Sequence, residues 1–290
     1  MPTLLDFRRR IRSVKNTQQI TRAMKFVAAS RLRRAQESAL AARPYATELA
    51  RMLRSIMGRI DEQQHPLLAE RPEERILAIV LSGERGLAGA FNTNILRKAN
   101  EFLREHKDKK LSLVPVGKKG RDALKRAGFS FAAEYINVLA KVEFGTAREI
   151  VGLVTKLYKE EQIDAVYLIF SEFKNVMTAN LKVEKLLPVE PERSEGGDGK
   201  QPESQVDYIY EQAPEKLLGA LLPKYIEAQI LRAMLESSAA EYAARMAAME
   251  SATRNAGEVI QTLTLHMNKV RQAAITKEII EIVSGASHGA

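Results

Sequence analysis

The stretch whose residue types promise chemistry is Leu81-Ser82-Gly83-Glu84-Arg85-Gly86-Leu87-Ala88-Gly89-Ala90-Phe91-Asn92, a glycine-rich turn between an apolar run and a helix-forming segment. Such turns can cradle phosphates with backbone N–H groups, so nucleotide binding is the first chemistry to weigh. The spacing argues against it. Gly83, Gly86 and Gly89 read GxxGxxG, which is neither the dinucleotide fingerprint GxGxxG nor the phosphate loop GxxxxGK followed by Ser or Thr. A dinucleotide site also wants an acidic residue ending the second strand, where this chain has Val116-Gly117-Lys118-Lys119. The glycines are expected to serve a tight turn and close helix–sheet packing instead.

Other chemistry finds little footing. His65, His106, His266 and His288 are scattered without ligand spacing, and there is no cysteine, which excludes disulfides, thiolate metal sites and a redox switch. No Ser/His/Asp set or carboxylate pair stands out, so no cofactor, metal or catalytic residue is expected. The longest apolar runs, 76–81 and 165–170, are far short of the roughly twenty residues of a membrane span. The first residues show no apolar export segment and no Ser-rich presequence.

Around the turn, the pattern is that of alternating strands and helices. Residues 76–82, 111–117 and 165–173 are short, continuously apolar runs typical of buried parallel strands, and 92–106, 120–127 and 146–161 read as helices between them. This predicts a small open, Rossmann-like α/β domain. Residues 181–189 are expected to pair with 206–210, with a polar, glycine-rich loop at 192–204.

The two ends are different. From 223 to 286 the chain has no internal proline, and stepping alternately by four and three from Leu235 reaches Ala239, Tyr242, Met246, Met249, Thr253, Ala256, Ile260, Leu263, Met267, Val270 and Ala274, with Thr253 the only polar member. A mean period of 3.5 marks a helix that supercoils around a partner. Sixty such residues extend roughly 90 Å, beyond any single core. Residues 3–57 read as a second long helix with Pro44 its expected kink, and a narrow stripe of Ile11, Val14, Ile20, Met24, Val27, Ala28, Leu32, Ala35 and Ala39. The two are expected to pair antiparallel within one chain, which divides it into a first coiled-coil helix (1–60), an inserted α/β domain (61–215) and a second coiled-coil helix (216–290). The fold class is therefore a long antiparallel coiled coil of the terminal helices carrying a small α/β domain.

Charge is concentrated at one end. Residues 1–60 hold fourteen Lys or Arg against three Asp or Glu, an excess larger than the net +9 of the whole chain. Such an arm seeks an acidic surface or lies solvated.

Residues 11–30, IRSVKNTQQITRAMKFVAAS, closely resemble the amino-terminal signature of the gamma subunit of F-type ATP synthase. Residues 268–286, NKVRQAAITKEIIEIVSGA, match its carboxy-terminal signature, and residues 85–92, RGLAGAFN, are similar to the family's RGLCGGFN turn. The resemblance spans the chain and implies a rotor shaft without chemistry of its own. In this family the coiled coil sits inside a ring of alternating α and β subunits, and the α/β domain, with the epsilon subunit, grips the membrane ring of c subunits. One copy per complex is implied, peripheral to the bacterial inner membrane on its cytoplasmic side. By the same resemblance Arg271, Gln272, Thr276 and Arg245, with Met24 and Lys25, match positions that contact β-subunit loops. Ile279, Ile280, Ile282 and Val283 would sit in an apolar sleeve, and Tyr208 and Glu211 would reach the c ring. The family's Ser-Asp before the arginine is Gly83-Glu84 here, which puts any contact special to that aspartate in doubt.

Two rival classes make contrary demands. A nucleic-acid binder would interleave aromatics with its basic residues, and residues 8–40 contain only Phe26. A nucleotide-dependent α/β enzyme would need the loop spacing that this chain lacks.

Overall fold

A threonine starts the first helix. The Thr3 N–H donates to Asp6 Oδ2 at 2.9 Å, and the Asp6 N–H donates back to Thr3 Oγ1 at 3.3 Å, a reciprocal cap that also holds the Asp6 carboxyl below its ordinary pKa. The computed structural model describes residues 3–57, 65–175, 178–189 and 214–288. Its elements are α1 (Leu4–Met57), β1 (Arg75–Leu81), α2 (Phe91–Glu105), β2 (Lys110–Val116), α3 (Lys118–Arg126), α4 (Phe144–Lys159), β3 (Ala165–Phe173), β4 (Ala179–Leu187) and α5 (Pro214–His288). The chain divides into two compact units, residues 30–244 and residues 1–29 with 245–290.

In the unit formed by the chain's ends, α1 and α5 run antiparallel. Gln18 reaches Thr253, Thr21 reaches the same residue, and Lys25 reaches Glu250, so partners descend on one helix as they ascend on the other. The α5 stripe keeps the period read from its sequence. Met249 and Ala256 are buried, and Thr253, Ile260, Leu263, Met267, Val270 and Ala274 are half-buried.

The α1 stripe is stricter than its apolar residues suggest. Phe7, Ile11, Val14, Gln18, Thr21, Lys25, Ala28, Leu32, Ala35, Ala39, Ala42, Ala46, Leu49, Leu53 and Ile56 alternate by four and three along the whole helix, and each is buried or half-buried. Ile20 and Val27, expected in the stripe from their side chains, are instead 59% and 54% exposed. Polar Gln18 and Thr21 take the sheltered places because periodicity decides which face turns inward and their polar atoms find partners there. Pro44 falls between Ala42 and Ala46 on the exposed side, and the helix runs on through it.

In the other unit, four strands form one sheet in the order β2-β1-β3-β4, with β1 parallel to β2 and β3, and β4 antiparallel to β3. The central strand explains its own continuous apolarity. Leu77, Ile79 and Leu81 face one core with Ile150 and Val154 of α4, while Ile76, Ala78 and Val80 face another with Ile95, Ala99 and Phe102 of α2. The first core is completed by the terminal helices, through Leu53 and Ile56 of α1 and Leu222, Ile226 and Ile230 of α5. At the start of the sheet, Arg75 grips the buried Asp164 through its backbone N–H at 2.8 Å and its guanidinium at 2.6 Å, which holds that carboxyl below its ordinary pKa.

The last helix, expected over 216–290, begins at Pro214 and passes through Pro223. One lost N–H is tolerated because Leu218, Leu222, Ile226 and Ile230 bury a full face across that point. Residues 233–243 are buried on all sides, not along a stripe, because this stretch of α5 lies inside the α/β unit. The strand near 181–189 is β4, and it pairs with β3 through a turn in which the Thr178 N–H donates to Asn175 Oδ1 at 2.7 Å. Its expected partner 206–210 and the 192–204 loop lie outside the described residues.

The seam yields a paired test. Ala28 is 2% exposed and its neighbour Val27 is 54% exposed. Ala28→Asp places a carboxylate in the seam and should lower the temperature of helix loss by about 5 °C or more, whereas Val27→Asp should leave it within about 1 °C. Circular dichroism melts of the full-length chain check this, and equal melts would show that Ala28 does not face the seam.

Candidate functional site

In an open α/β sheet, ligands bind beyond the carboxyl ends of the strands, where the strand order reverses. Here that point lies between β1 and β3, with the glycine-rich turn beside it. The polar groups of the turn bond to one another and to the segments beside it. The Gly83 N–H donates to Asn92 Oδ1 at 2.8 Å, and Ser82 Oγ accepts from the Gly120 N–H at 2.7 Å. Gly117 has φ +106 and passes so close to Ser82 that a Cβ on it would sit 1.9 Å from the Ser82 carbonyl oxygen. Glu84 is 9% exposed. Its carboxylate accepts from the Lys118 N–H at 3.0 Å, at the start of α3, and from the Val138 N–H at 3.1 Å. The glutamate therefore has a structural task in this chain, whatever the family's aspartate does.

The crevice itself is filled by α5. Ser237 Oγ accepts from the Ser171 N–H at 3.2 Å, at the end of β3, and Ser238 Oγ donates to the Leu139 carbonyl at 3.0 Å. Ala240 packs in the same core as Phe91 and Ile95. A Cβ on Gly83 would lie 2.9 Å from Asn92 Oδ1 and 3.0 Å from the Glu241 carboxyl, so a side chain there would push both side chains aside. The place where this architecture would hold a nucleotide is occupied by the protein's own helix. Among the described residues, no group of His, Cys, Asp or Glu could hold a metal ion, and no helix is long and apolar enough to cross a membrane.

In the other unit the seam carries a polar layer that the apolar reading of α1 missed. Gln18 Nε2 donates to the Thr253 carbonyl at 3.3 Å, the Thr21 and Thr253 hydroxyls meet at 2.8 Å, and Thr253 lies 2.7 Å from the Met249 carbonyl. Lys25 closes the layer with an ion pair to Glu250 at 2.8 Å. The groove beside it holds about 740 Å³, with Arg22, Phe26, Arg254 and Gly257 among its walls. The signal was present in sequence: Thr253 is the one polar step of the α5 series, and counting back from Ala28 by threes and fours lands on Thr21 and Gln18.

The residues implied by resemblance fall into separate places. Met24 is half-buried beside the layer, and Lys25 spends its charge on Glu250 within the chain. Arg271, Gln272 and Thr276 are exposed within less than two turns of α5, and the Thr276 hydroxyl donates to the Gln272 carbonyl at 3.0 Å. Arg245 is half-buried and lies twenty-six residues earlier, roughly 40 Å along the helix, so these positions make two zones rather than one. Ile279, Ile280, Ile282 and Val283 are 55–71% exposed. Tyr208 and Glu211 lie outside the described residues.

Comparison with known proteins accounts for this arrangement. The family model described as ATP synthase matches residues 3–288. The ATP synthase gamma chain of Solibacter usitatus is 49% identical over 99% of both chains, and that of Pelotomaculum thermopropionicum is 46% identical over 99% of both. The chain belongs to the ATP synthase gamma family. The gamma-family fold recurs in solved structures. A chain of the Euglena gracilis mitochondrial ATP synthase OSCP/F1/c-ring structure has a TM-score of 0.68 at 20% identity, covering 98% of this chain and 93% of that one. A chain of the Tetrahymena thermophila mitochondrial ATP synthase central stalk and c ring has a TM-score of 0.61 at 24% identity, covering 80% of this chain and 99% of that one.

One buried acid in this gamma-family chain is poised by its surroundings. Glu236 of α5 is 3% exposed, and its Oε2 has no hydrogen-bond partner. Arg232 and Arg43 are the cations around it, while Glu172 and Glu184 add like charge. Burial raises its pKa above the ordinary 4.5, and the cations oppose this only in part. The folded chain thus holds a proton that the unfolded chain releases, so this group's stabilising contribution is present below pH 4.5 and is lost as pH rises through the folded value. Glu236→Gln should therefore melt higher than the parent near pH 8, with the advantage vanishing near pH 4. Melting curves across that range check this, and a constant offset at every pH would contradict it.

Proposed function

We propose that the chain is the central-stalk rotor subunit of a bacterial proton-translocating ATP synthase, peripheral to the cytoplasmic face of the inner membrane and present once per complex. The observation that carries this reading is its pair of terminal helices. They bind each other along a 3.5-residue seam, and the longer one ends in apolar side chains that its own partner helix leaves uncovered. An apolar tip of this kind suits a sleeve made by a surrounding ring of α and β subunits better than it suits water. In this role the segments 1–60 and 216–290 form the shaft. The segment 61–215 forms the foot that meets the epsilon subunit and the c ring, through Tyr208 and Glu211 among others.

The chain performs no chemistry. Its α/β crevice is filled by α5, which supports a chain that acts on ATP only through its neighbours. A single asymmetric shaft offers each of three β subunits a different set of side chains. Only such differential contact biases their nucleotide affinities, at about 1.4 kcal/mol for each tenfold change. Turning the shaft passes each set from one β subunit to the next, which couples proton flow through the c ring to ATP synthesis and lets the shaft restrain ATPase activity and proton flow. Arg271, Gln272 and Thr276 form one contact zone for β loops, and Arg245 with Met24 another. Lys25 contributes by ordering Glu250.

Arg271→Ala with Gln272→Ala should reduce ATP-driven proton pumping of the reconstituted enzyme by about tenfold. Removing the solvent-exposed ion pair Lys141–Glu143 by two alanines should change it less than twofold. Equal losses from both double variants would remove the first contact zone from the mechanism.

A further inference from the structure

Among the described residues, two shielded side-chain oxygens have no hydrogen-bond partner, Thr155 Oγ1 and Glu236 Oε2. Only the second can carry a charge. Glu236 is 3% exposed on α5, and charged groups face it from its own helix and from three neighbouring elements. They are Arg232 one turn earlier on α5, Glu172 of β3, Glu184 of β4 with its ion-pair partner Lys182, and Arg43 of α1.

Two of the three cations are taken. Lys182 bonds Glu172 at 2.8 Å and Glu184 at 3.4 Å, and Arg232 bonds Glu184 and, at 2.9 Å, the Gln229 side chain. Three carboxyl groups thus share two bonded cations, and the one left out is the most deeply buried of the three. Burial favours its protonated form, since an unpaired carboxylate at that depth would lose its hydration with nothing in exchange.

The third cation stands outside. Arg43 is exposed on α1 and has no carboxylate partner among the described residues. It also sits at a weak point of that helix. Pro44, the next residue, has no N–H, so the Leu40 carbonyl lacks its helical donor. A bond from Arg43 to α5 would fasten α1 where its own ladder is interrupted.

We propose that Glu236 and Arg43 form a latch between α5 and α1 that a proton operates. With a proton on the carboxyl the two stand apart, as they do here. When the carboxyl gives its proton to solvent, both its oxygens become acceptors, and the Arg43 guanidinium, charged throughout, turns in to donate to them. Low pH leaves this turn of α1 to its own ladder, and high pH ties it to α5.

The test uses the purified full-length chain between about pH 5 and pH 9. Infrared difference spectra of the parent against Glu236→Gln follow the protonated carboxyl band. Phenylglyoxal, which modifies free guanidinium groups, reads Arg43 against the exposed Arg34 in the same sample, so that the reagent's own pH dependence cancels. As the band is lost, the ratio of Arg43 to Arg34 modification should fall about tenfold in the parent, as expected for one charge-assisted bond, and stay constant in Glu236→Gln. Arg43→Gln should move the loss of the band to higher pH, because the ionised form has lost its partner, while Arg43→Lys should move it less and Arg34→Gln not at all. A ratio that stays flat while the carboxyl ionises overturns the latch, as does a fall that persists in Glu236→Gln. A carboxyl that is ionised, or protonated, at every pH in the range overturns the proton's part in it.

Discussion

The structure depends on one periodicity, the alternation of four and three that α1 keeps from Phe7 to Ile56 and α5 keeps from Met246 to Ala274. A helix of 3.6 residues per turn drifts against such a repeat, so two helices that both obey it must wind around each other to keep their stripes in contact. From residue 28 to 46 the α1 stripe is filled mostly by small residues. Alanine at 28, 35, 39, 42 and 46 lets a neighbouring backbone come close but contributes little apolar area per residue. Such a seam gains from length, since each step adds a small amount.

The polar layer gives this periodic seam a fixed register. An alanine-rich stripe is nearly self-similar under a shift of seven residues, and apolar contact alone distinguishes such registers poorly. Thr21 opposite Thr253, Gln18 on the Thr253 carbonyl and Lys25 on Glu250 are satisfied together in one alignment only. A slip would leave the two hydroxyls with the carbonyls of their own helices but would take the Gln18 amide from the Thr253 carbonyl and part Lys25 from Glu250. A single alignment is what the proposed role of a shaft with different faces for different neighbours would need.

What was legible in sequence was what repeats or runs on. The strands announced themselves because β1 is covered on both faces and must be apolar throughout, and the α5 stripe because its core positions are apolar almost without exception. What escaped depends on contacts between distant residues. Ile20 and Val27 look like core and are not, because hydrophobicity was weighed before period. Pro223 lies inside the helix expected over 216–290, and the buried face of Leu218, Leu222 and Ile226 carries the helix through it. The crevice beyond β1 and β3 reads as an open ligand site until Ser237, Ser238 and Ala240 are found inside it, residues that sit some 150 positions from the turn they fill against. The orphan oxygens of Glu236 and Thr155 leave no trace in composition at all.

The proposal to test is that the chain couples catalysis to proton flow by turning inside its ring. The most direct measurement fixes the α/β ring to a surface, attaches a probe to the chain, and follows the probe while ATP is hydrolysed. The account predicts rotation in one direction, in steps of about a third of a turn set by the threefold ring, with stepping and hydrolysis stopping together when the chain is cross-linked to a β subunit. Hydrolysis at an undiminished rate with the probe stationary, or with the cross-link in place, would contradict it.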